Sequence, residues 1–222
     1  MSPRVITVIL AAGMSRRLGR PTQLLQRDGE TLISRITVAA IASRAAEVAV
    51  VTGAHRGDVE AEVAGSGVTC LHNPCFPEGM ASSIRIGACW AVRQQCDGVL
   101  FLTCDQPFVS GAHIDKLVDA FEQHGGRVAS YYSGVAGSPA VFPREDLGEL
   151  LRLRGDEGAR SLLSDDGVWR VPFPAGAFDL DAEDDAHRYV GEDQPRLRES
   201  GIHPIAGAAL SSLDELARHL RS

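Results

Sequence analysis

The chain is very poor in lysine: among its 22 lysine and arginine residues, only Lys116 is a lysine. Binding of anionic groups therefore falls to arginine, whose planar guanidinium can form two parallel hydrogen bonds with a phosphate. The chain also lacks a net positive charge, because 29 acidic residues bring the formal charge to −7 at pH 7. Nucleic-acid binding needs clustered basic residues, so no nucleic-acid partner is expected.

Paired cysteines and long apolar runs are absent as well. The five cysteines are odd in number and contain no Cys-x-x-Cys pair, which argues against a disulfide framework or a structural zinc site. They are interpreted as small buried apolar side chains in a reducing compartment. We expect no signal peptide, no membrane span and a cytoplasmic location. A length of 222 residues suits one α/β domain.

An apolar segment near the start ends in a loop of small and cationic residues. Residues 5–10 are predicted to form a buried strand, because strands covered on both faces carry apolar residues at successive positions. Residues 11–19 follow as a loop whose backbone N–H groups and arginines can surround a phosphate. The glycine spacing fits neither a Walker A loop nor a dinucleotide-binding fingerprint. The loop therefore predicts a nucleotide site of another type.

Strand and helix patterns alternate along the chain. Strands are predicted at residues 48–52, 67–71 and 98–102, and helices at residues 34–46, 58–64 and 81–94. This alternation indicates a largely parallel sheet with crossover helices. A further helix is predicted from Ser110, which can cap it, to the pair Gly125-Gly126. Two later strands are predicted at residues 127–132 and 140–142, around a turn at residues 133–134.

Four motifs occur in order, at residues 10–19, 73–85, 103–107 and 155–160. The first has the pattern Leu-Ala-Ala-Gly-x-Ser-x-Arg-x-Gly, and together the motifs resemble the molybdenum cofactor cytidylyltransferase-like NTP transferases over roughly residues 4–190. The resemblance implies a three-layer, Rossmann-like α/β fold with a mostly parallel mixed sheet. It also implies transfer of CMP from CTP to the molybdopterin cofactor, with Mg²⁺ as the metal ion and pyrophosphate as the product.

The resemblance divides the chain into a nucleotidyltransferase domain and a tail. The domain covers residues 1–190, and the tail covers residues 191–222 and carries a predicted helix at about residues 212–220. The implied small-molecule partners are an NTP and a molybdopterin-type phosphate. A recipient molybdoenzyme of the xanthine dehydrogenase type is a further implied partner. We expect a monomer or a weak dimer.

Carboxylates at strand ends are the candidate metal ligands. Asp105 follows a buried strand at its carboxyl end, where ligands of open α/β sheets collect, and Mg²⁺ prefers one or two carboxylates. Asp179 and Asp181 lie two residues apart, so in an extended segment they point to the same side. Asp105 and Asp181 are the predicted metal ligands. Alternatively, Asp181 belongs to a solvated acidic run that begins a helix.

The remaining site residues follow from the motifs. Arg17 and Asp105 are the predicted catalytic residues. The predicted nucleotide-binding residues are Leu10, Ala11, Ala12, Gly13, Ser15, Arg17, Thr22, Gly79, Ser82, Ser83 and Arg85. The predicted acceptor-binding residues are Gln106, Ser138, Pro139 and Asp156. The resemblance also assigns base recognition partly to the pair Ala11-Ala12, which by the same resemblance favours CTP over GTP. The serines can instead cap an ordinary helix, and Asp156 can cap a helix that contains Leu162 and Leu163.

One position departs from the family pattern. The resemblance places a lysine that contacts the NTP phosphates two residues after Arg20, and this chain has Thr22 there. Loss of an oriented cationic donor typically costs about 10² to 10³ in rate. Compensation by Arg16, Arg20 or Arg27 is an open alternative. Two other functions stay open too: a non-catalytic cofactor carrier or insertion factor, and an NTP transferase for another phosphorylated small molecule.

Overall fold

The computed structural model describes residues 2–15, 17–156, 158–180 and 183–190. Within these ranges seven strands form one mixed sheet, and two short strands form a separate antiparallel pair. The strands are β1 (Val5–Ala11), β2 (Gln26–Arg27), β3 (Glu30–Thr31), β4 (Val48–Thr52), β5 (Thr69–His72), β6 (Gly98–Thr103), β7 (Val128–Tyr132), β8 (Val135–Pro143) and β9 (Trp169–Pro172). The antiparallel pair is β2 with β3.

Helices cover both faces of the large sheet. The α-helices are α1 (Leu32–Ile41), α2 (Arg56–Glu62), α3 (Met80–Gln94), α4 (Gly111–His124), α5 (Leu147–Leu150) and α6 (Glu183–Val190). The apolar sides of α1, α2, α4 and α6 pack on one face of the sheet, and those of α3 and α5 pack on the other. The side chains of β1 contribute to the cores on both faces of the sheet. Ile6 and Val8 pack in the core under α3 and α5, and Ile9 packs in the core on the opposite face. None of the described helices is long and apolar enough to cross a membrane.

The strand order places β1 and β6 side by side in the interior of the sheet. The order is β5-β4-β1-β6-β8-β7-β9, and every neighbouring pair is parallel except the two that involve β8. The predicted mostly parallel mixed sheet in a three-layer fold is therefore confirmed. Leu10 of β1 lies opposite Thr103 of β6 in this register. The loops that follow these two strands therefore leave the sheet side by side.

Several predicted elements agree with the structure and others differ in their bounds. The Ser110 side chain accepts a hydrogen bond from the His113 N–H and caps α4, which ends at Gly125 as predicted. Helix α1 ends at Ile41 rather than at residue 46, and Ser43 donates a side-chain hydrogen bond to the Ala40 carbonyl instead of continuing the helix. A serine that bonds to nearby backbone favours such an end.

The strand β8 is longer than predicted because it forms a tight hairpin with β7. Ser133 and Gly134 both have positive φ, of 50° and 80°, as a two-residue turn of type I′ requires. Pairing therefore begins directly at Tyr132 and Val135. The strands β2, β3 and β9 were not predicted. The predicted tail at residues 191–222 lies outside the described residues.

The cysteines agree only partly with their interpretation as buried apolar side chains. Cys96 and Cys104 are buried, whereas Cys70, Cys75 and Cys89 are exposed. All five are free thiols.

A buried polar chain connects α4 to β7 and β8. Ser130 of β7 donates its hydroxyl hydrogen to the Pro139 carbonyl of β8 at 2.8 Å. The same hydroxyl lies 2.8 Å from Nε2 of His113 and therefore accepts a hydrogen bond from it. The ring of His113 stacks on Phe173, with the ring centroids 3.9 Å apart. Burial lowers the pKa of His113 to about 4, with a smaller contribution from the charge of Lys116.

We predict that His113 makes the fold less stable in mild acid. Between pH 6.5 and about 4 the unfolded chain binds a proton that the neutral native imidazole does not, so stability falls as the pH falls. The expected loss from pH 7.5 to pH 5 is about 2 kcal/mol. Urea unfolding at both pH values measures it. His113→Gln should remove this part of the pH dependence, while the exposed His187→Gln should keep it; equal slopes in the two variants would contradict the assignment.

Candidate active site

A cavity of about 560 Å³ opens at the carboxyl ends of β1 and β6. The loop after β1, the start of α3 and the residues after β6 form its walls. The residues that line it are Leu10, Ala12, Gly13, Met14, Ser15, Arg17, Leu18, Thr22, Gln23, Phe76, Pro77, Gly79, Met80, Ser83, Thr103, Cys104, Asp105, Asp156 and Leu180. Most of the predicted nucleotide-binding residues therefore lie around one space; Ala11, Ser82 and Arg85 are not among those that line it.

The loop after β1 is held in shape by Gln23. The buried Gln23 amide, only 4% exposed, donates from Nε2 to the carbonyls of Ala11 and Gly13, at 3.1 and 2.9 Å. Ser15 adopts a positive φ of 48°, and its hydroxyl accepts a hydrogen bond from the Thr22 N–H at 2.9 Å. The Ser15 oxygen is therefore engaged within the loop. Gln23 was not among the predicted site residues, because its role depends on carbonyls ten and twelve residues away.

The cations near this cavity are few. Thr22 lines the cavity at 8% exposure, so the position of the missing lysine is at the cavity wall. Arg17 lines the cavity as well. Arg20 is exposed and is not among the lining residues, and Arg27 lies over an aromatic ring of α6. Arg16 lies outside the described residues. Among the described residues that line this cavity, Arg17 is therefore the one arginine, and compensation by Arg16 stays a prediction.

The first turn of α3 is organised by a buried asparagine. Asn73, 1% exposed, donates from Nδ2 to the hydroxyl oxygens of Ser82 and Ser83, at 2.8 and 3.0 Å. The Ser82 hydroxyl in turn donates to the Gly79 carbonyl at 2.8 Å. Ser83 faces the cavity, whereas Ser82 serves the fold of the turn. Asn73 was quoted in a motif but was not predicted as a site residue.

Arg85 does not belong to either cavity of the site. Its guanidinium donates to the Glu78 carboxylate at 2.7 Å and to the Leu153 carbonyl at 2.9 Å. Its predicted place in the nucleotide-binding set stays a prediction: in this structure the side chain lies outside both cavity linings and links the start of α3 to the segment after α5. Ala11 is also buried away from the cavity, where its carbonyl accepts a hydrogen bond from Gln23.

Gly79 brings the start of α3 against the loop at residues 155–156. Its φ is +106°, and a Cβ at this position would lie 2.4 Å from Oδ1 of Asp156 and 2.5 Å from the Gly155 carbonyl oxygen. The Ala81 N–H donates to the same carbonyl at 3.1 Å. Asp156 therefore lies beside the first cavity, and it is not among the residues that line the second. It is also not a helix cap: the short 3₁₀ turn Ala159–Leu163 is preceded by Gly158.

A second cavity of about 290 Å³ adjoins the first. The two share Leu10, Met80, Thr103 and Asp105. The other residues that line the second cavity are Ile84, Phe101, Gln106, Tyr132, Val135, Ala136, Gly137, Ser138, Ala140, Phe142, Gly158, Ala159, Arg160, Leu163 and Asp179. Its walls are mainly apolar, and its polar groups come from the residues after β6, from the β7–β8 hairpin and from the segment at residues 158–160.

The polar side of the second cavity is held together by Gln106. Its Nε2 donates to the Tyr132 hydroxyl at 3.2 Å and to the Gly176 carbonyl at 3.3 Å. Burial raises the pKa of Tyr132. Gly137 leaves room for this ring, because a Cβ there would lie 2.5 Å from the Tyr132 hydroxyl oxygen. Tyr132 is a cavity residue that sequence analysis missed.

Ser138 links the second cavity to β6, and its neighbour Pro139 lies outside both cavity walls. The Ser138 hydroxyl accepts a hydrogen bond from the Thr103 N–H at 3.3 Å, where β8 passes the carboxyl end of β6. Pro139 follows a cis peptide bond and contributes its carbonyl to the Ser130 hydrogen bond. Of the four predicted acceptor-binding residues, Gln106 and Ser138 thus line this cavity.

Two carboxylates line the second cavity, and one of them lies at its junction with the first. Asp105 lines both cavities and Asp179 lines the second, while the Leu180 N–H donates to the Asp105 carbonyl at 2.9 Å. Asp181 lies outside the described residues, so its predicted role as a ligand stays a prediction. The described residues hold no group of three His, Cys, Asp or Glu side chains that could bind a metal ion. One or two carboxylates suffice for Mg²⁺, which takes its other ligands from water and phosphate oxygens.

Burial raises the pKa of the Cys104 thiol, and the charge of Asp105 adds to this effect. The thiol therefore stays protonated beside the carboxylate, as expected of a side chain that packs rather than reacts.

A mostly parallel sheet with a loop-lined cleft at its carboxyl edge, shared between β1 and β6, agrees with the α/β nucleotidyltransferase class that the sequence motifs imply. The comparison with protein families agrees: the model of the MobA-like NTP transferase domain matches residues 7–170, and the chain belongs to this family. It is thus an NTP-dependent nucleotidyltransferase.

Three characterised relatives match most of the chain. Purine catabolism protein PucB of Bacillus subtilis (strain 168) is 32% identical over 174 residues, which is 73% of this chain and 82% of the relative. Nicotine blue oxidoreductase of Paenarthrobacter nicotinovorans is 30% identical and is covered to 92%, with 86% of this chain aligned. Molybdenum cofactor guanylyltransferase of Rhodobacter capsulatus is 29% identical, with 77% of this chain and 85% of the relative aligned.

A solved structure of similar fold contains manganese. The complex of Rv0371C from Mycobacterium tuberculosis H37Rv with manganese superimposes with a TM-score of 0.71 at 26% identity, and the match covers 86% of this chain and 99% of that one. A divalent cation is therefore bound by a protein of closely similar fold.

We predict that Gly79→Ala destabilises the protein and weakens nucleotide binding. The new Cβ would collide with Asp156 and the Gly155 carbonyl, and the positive φ is unfavourable for alanine, so we expect a loss of about 1–3 kcal/mol. Urea unfolding and nucleotide titration measure the two effects. Gly148→Ala in α5 is the matched control, because a Cβ there meets no atom within 4 Å. A Gly79→Ala protein as stable as the Gly148→Ala protein would contradict the tight packing.

Proposed function

We propose that the protein transfers CMP from CTP to the terminal phosphate of molybdopterin that carries molybdenum, with Mg²⁺ as the metal ion and pyrophosphate as the product. The observation that carries this proposal is the junction of two cavities at Asp105. Nucleotidyl transfer needs two phosphate-bearing substrates whose reacting groups meet at one point. Two adjoining cavities with a carboxylate at their boundary suit this requirement.

On the nucleotide side, the loop after β1 would hold the triphosphate. Its backbone N–H groups and the guanidinium of Arg17 are suitable donors to phosphate oxygens, and Ser83 adds a hydroxyl at the start of α3. Because the acceptor's own phosphate attacks the α-phosphate, no protein nucleophile is needed. The protein's part is to position the groups and to stabilise the negative charge that develops.

The preference for CTP over GTP is supported by the packing around Ala12. Ala12 lines the cavity, and the backbone at Gly53 lies close to its methyl, since a Cβ at Gly53 would be 2.8 Å from it. Close packing behind a wall residue limits how far the wall can shift. Such a wall suits a smaller pyrimidine base better than a purine.

The carboxylates would hold the metal ion. Asp105, together with Asp179 and with Asp181 from the predicted Asp-x-Asp pair, offers the oxygen ligands that Mg²⁺ prefers. A bound Mg²⁺ would supply positive charge to the phosphate oxygens. The backbone hydrogen bond from the Leu180 N–H to the Asp105 carbonyl joins the two acidic segments.

On the acceptor side, the second cavity suits a flat ring system that bears a phosphate. Its walls include Ile84, Phe101 and Phe142, and its polar rim carries Gln106 and Ser138. The similarity to a molybdenum cofactor guanylyltransferase supports a molybdopterin acceptor. A molybdoenzyme that receives the product is the corresponding protein partner.

Pyrophosphate release in the presence of Mg²⁺ tests the proposal. CTP with molybdenum-loaded molybdopterin should give release, whereas GTP, or CTP without acceptor, should give little. Faster release with GTP would overturn the assignment of the base. Binding of CTP by calorimetry without any release would favour the carrier function, for which the threonine at position 22 is the supporting observation.

We predict that Thr22→Lys raises turnover about ten- to a hundredfold, because it adds a charge-assisted donor at the wall of the nucleotide cavity. The substitution leaves the backbone hydrogen bond from residue 22 to Ser15 in place. Steady-state kinetics with CTP measure the effect. Thr22→Gln, which is long but uncharged, is the control and should not raise the rate. A slower Thr22→Lys protein with normal unfolding would argue against phosphate binding at this wall.

We also predict that Asp105→Asn lowers kcat by at least about 10² and raises the Mg²⁺ concentration needed for half-maximal rate, because an amide is a poorer ligand for the ion. Asp97→Asn is the control: it precedes the same strand β6 at the opposite edge of the sheet, where its carboxylate accepts a hydrogen bond from the Arg4 N–H. An Asp105→Asn enzyme with unchanged metal dependence would contradict the role in metal binding.

A further inference from the structure

We propose that Arg160 binds the phosphate group of the acceptor substrate, so that the two substrates are held by separate arginines. The inference rests on the proposed function, since it assigns a phosphate-bearing acceptor to the second cavity. It gives Arg160 a role in acceptor recognition that is separate from nucleotide binding.

The distribution of cations between the two cavities is the first observation. Among the described residues that line the first cavity, Arg17 is the one arginine, and no lysine is present. Among those that line the second cavity, Arg160 is the one arginine. Each cavity thus offers a single guanidinium, and each proposed substrate brings phosphate oxygens that need one.

The charge balance of the second cavity is the second observation. Asp105 and Asp179 both line it, so its carboxylates repel an incoming phosphate. Their charges raise the pKa of Tyr132, whereas the charge of Arg160 lowers it. The guanidinium is therefore close enough to the Tyr132 hydroxyl to offset part of the negative charge of these carboxylates. Without Arg160, the charged residues in the described lining of this cavity would all be acidic.

The attachment of Arg160 is the third observation. Its backbone belongs to the 3₁₀ turn Ala159–Leu163, which Leu163 anchors in the core under α3 and α5. The Ser164 hydroxyl donates to the Arg160 carbonyl at 3.2 Å. The side chain is exposed at the cavity, and within the described ranges its guanidinium makes no hydrogen bond or ion pair with another residue. The backbone is fixed while the donors remain available to a ligand.

Other arginines of this region are already engaged. Arg127 pairs with Asp146, Glu149 and Asp165. Arg85 is held by Glu78 and the Leu153 carbonyl. Arg154 is exposed, donates to the Leu153 carbonyl and lines neither cavity. It is the matched control, because it lies six residues before Arg160 in the sequence and carries the same charge.

The test compares Arg160→Gln, Arg160→Lys and Arg154→Gln with the unmodified enzyme in the pyrophosphate-release assay. Arg160→Gln should raise the KM for molybdenum-loaded molybdopterin about ten- to a hundredfold, as expected for loss of a charge-assisted hydrogen bond, and leave the KM for CTP within about twofold. Arg160→Lys should restore part of the affinity. Arg154→Gln should change neither constant. An unchanged acceptor KM in Arg160→Gln, or an equal rise in the KM for CTP, would overturn the inference.

A binding measurement separates this inference from the proposed function. Neopterin monophosphate and unphosphorylated neopterin serve as probes in calorimetric titrations. Arg160→Gln should weaken the phosphorylated probe and not the other, whether or not the protein forms a CMP product. If the unmodified protein releases no pyrophosphate but shows this difference, the proposed function fails and Arg160 stands as a phosphate ligand. Equal weakening of both probes would contradict the role of Arg160 as a phosphate ligand and would leave the proposed function unaffected.

Discussion

The parallel pairing of β1 with β6 is the constraint on which the whole site depends. Backbone hydrogen bonds set Leu10 opposite Thr103. The loop that follows β1 and the residues that follow β6, Asp105 among them, therefore lie next to each other. Residues almost a hundred positions apart thus share one cavity. A slip of this register by one residue would turn the side chains of the strand to the other face of the sheet, so both apolar cores oppose it.

Much of this arrangement follows from patterns in the sequence. Apolar runs located the central strands, and the Ser110 cap with its apolar stripe located α4 almost to the residue. Such features are predictable because each depends on residues close in sequence. The carboxyl-edge position of Asp105 was predictable too, since parallel crossovers bring strand ends to the same side.

The side-chain directions could not be read in the same way. Arg85 occupies a motif position, yet its guanidinium turns to Glu78 and to a carbonyl near residue 153, a partner that only the fold brings close. Gln23 holds the loop after β1 through carbonyls ten and twelve residues away. This contact depends on the path of the turn between them. Tyr132 reaches the second cavity because Gly137, on the facing strand, leaves it space. These contacts depend on packing between elements, for which local pattern carries no signal.

The reversed direction of β8 has a consequence for how proteins of this architecture diversify. The first cavity is built where strands end, but the second is built partly from residues 135–138, where β8 begins just after a two-residue turn. That turn is an exposed hairpin tip, where insertions are tolerated well. Lengthening it would reshape one half of the cleft and leave the other half untouched. In proteins of this architecture, the ligand of the second cavity can therefore change during evolution while the first cavity keeps its own ligand.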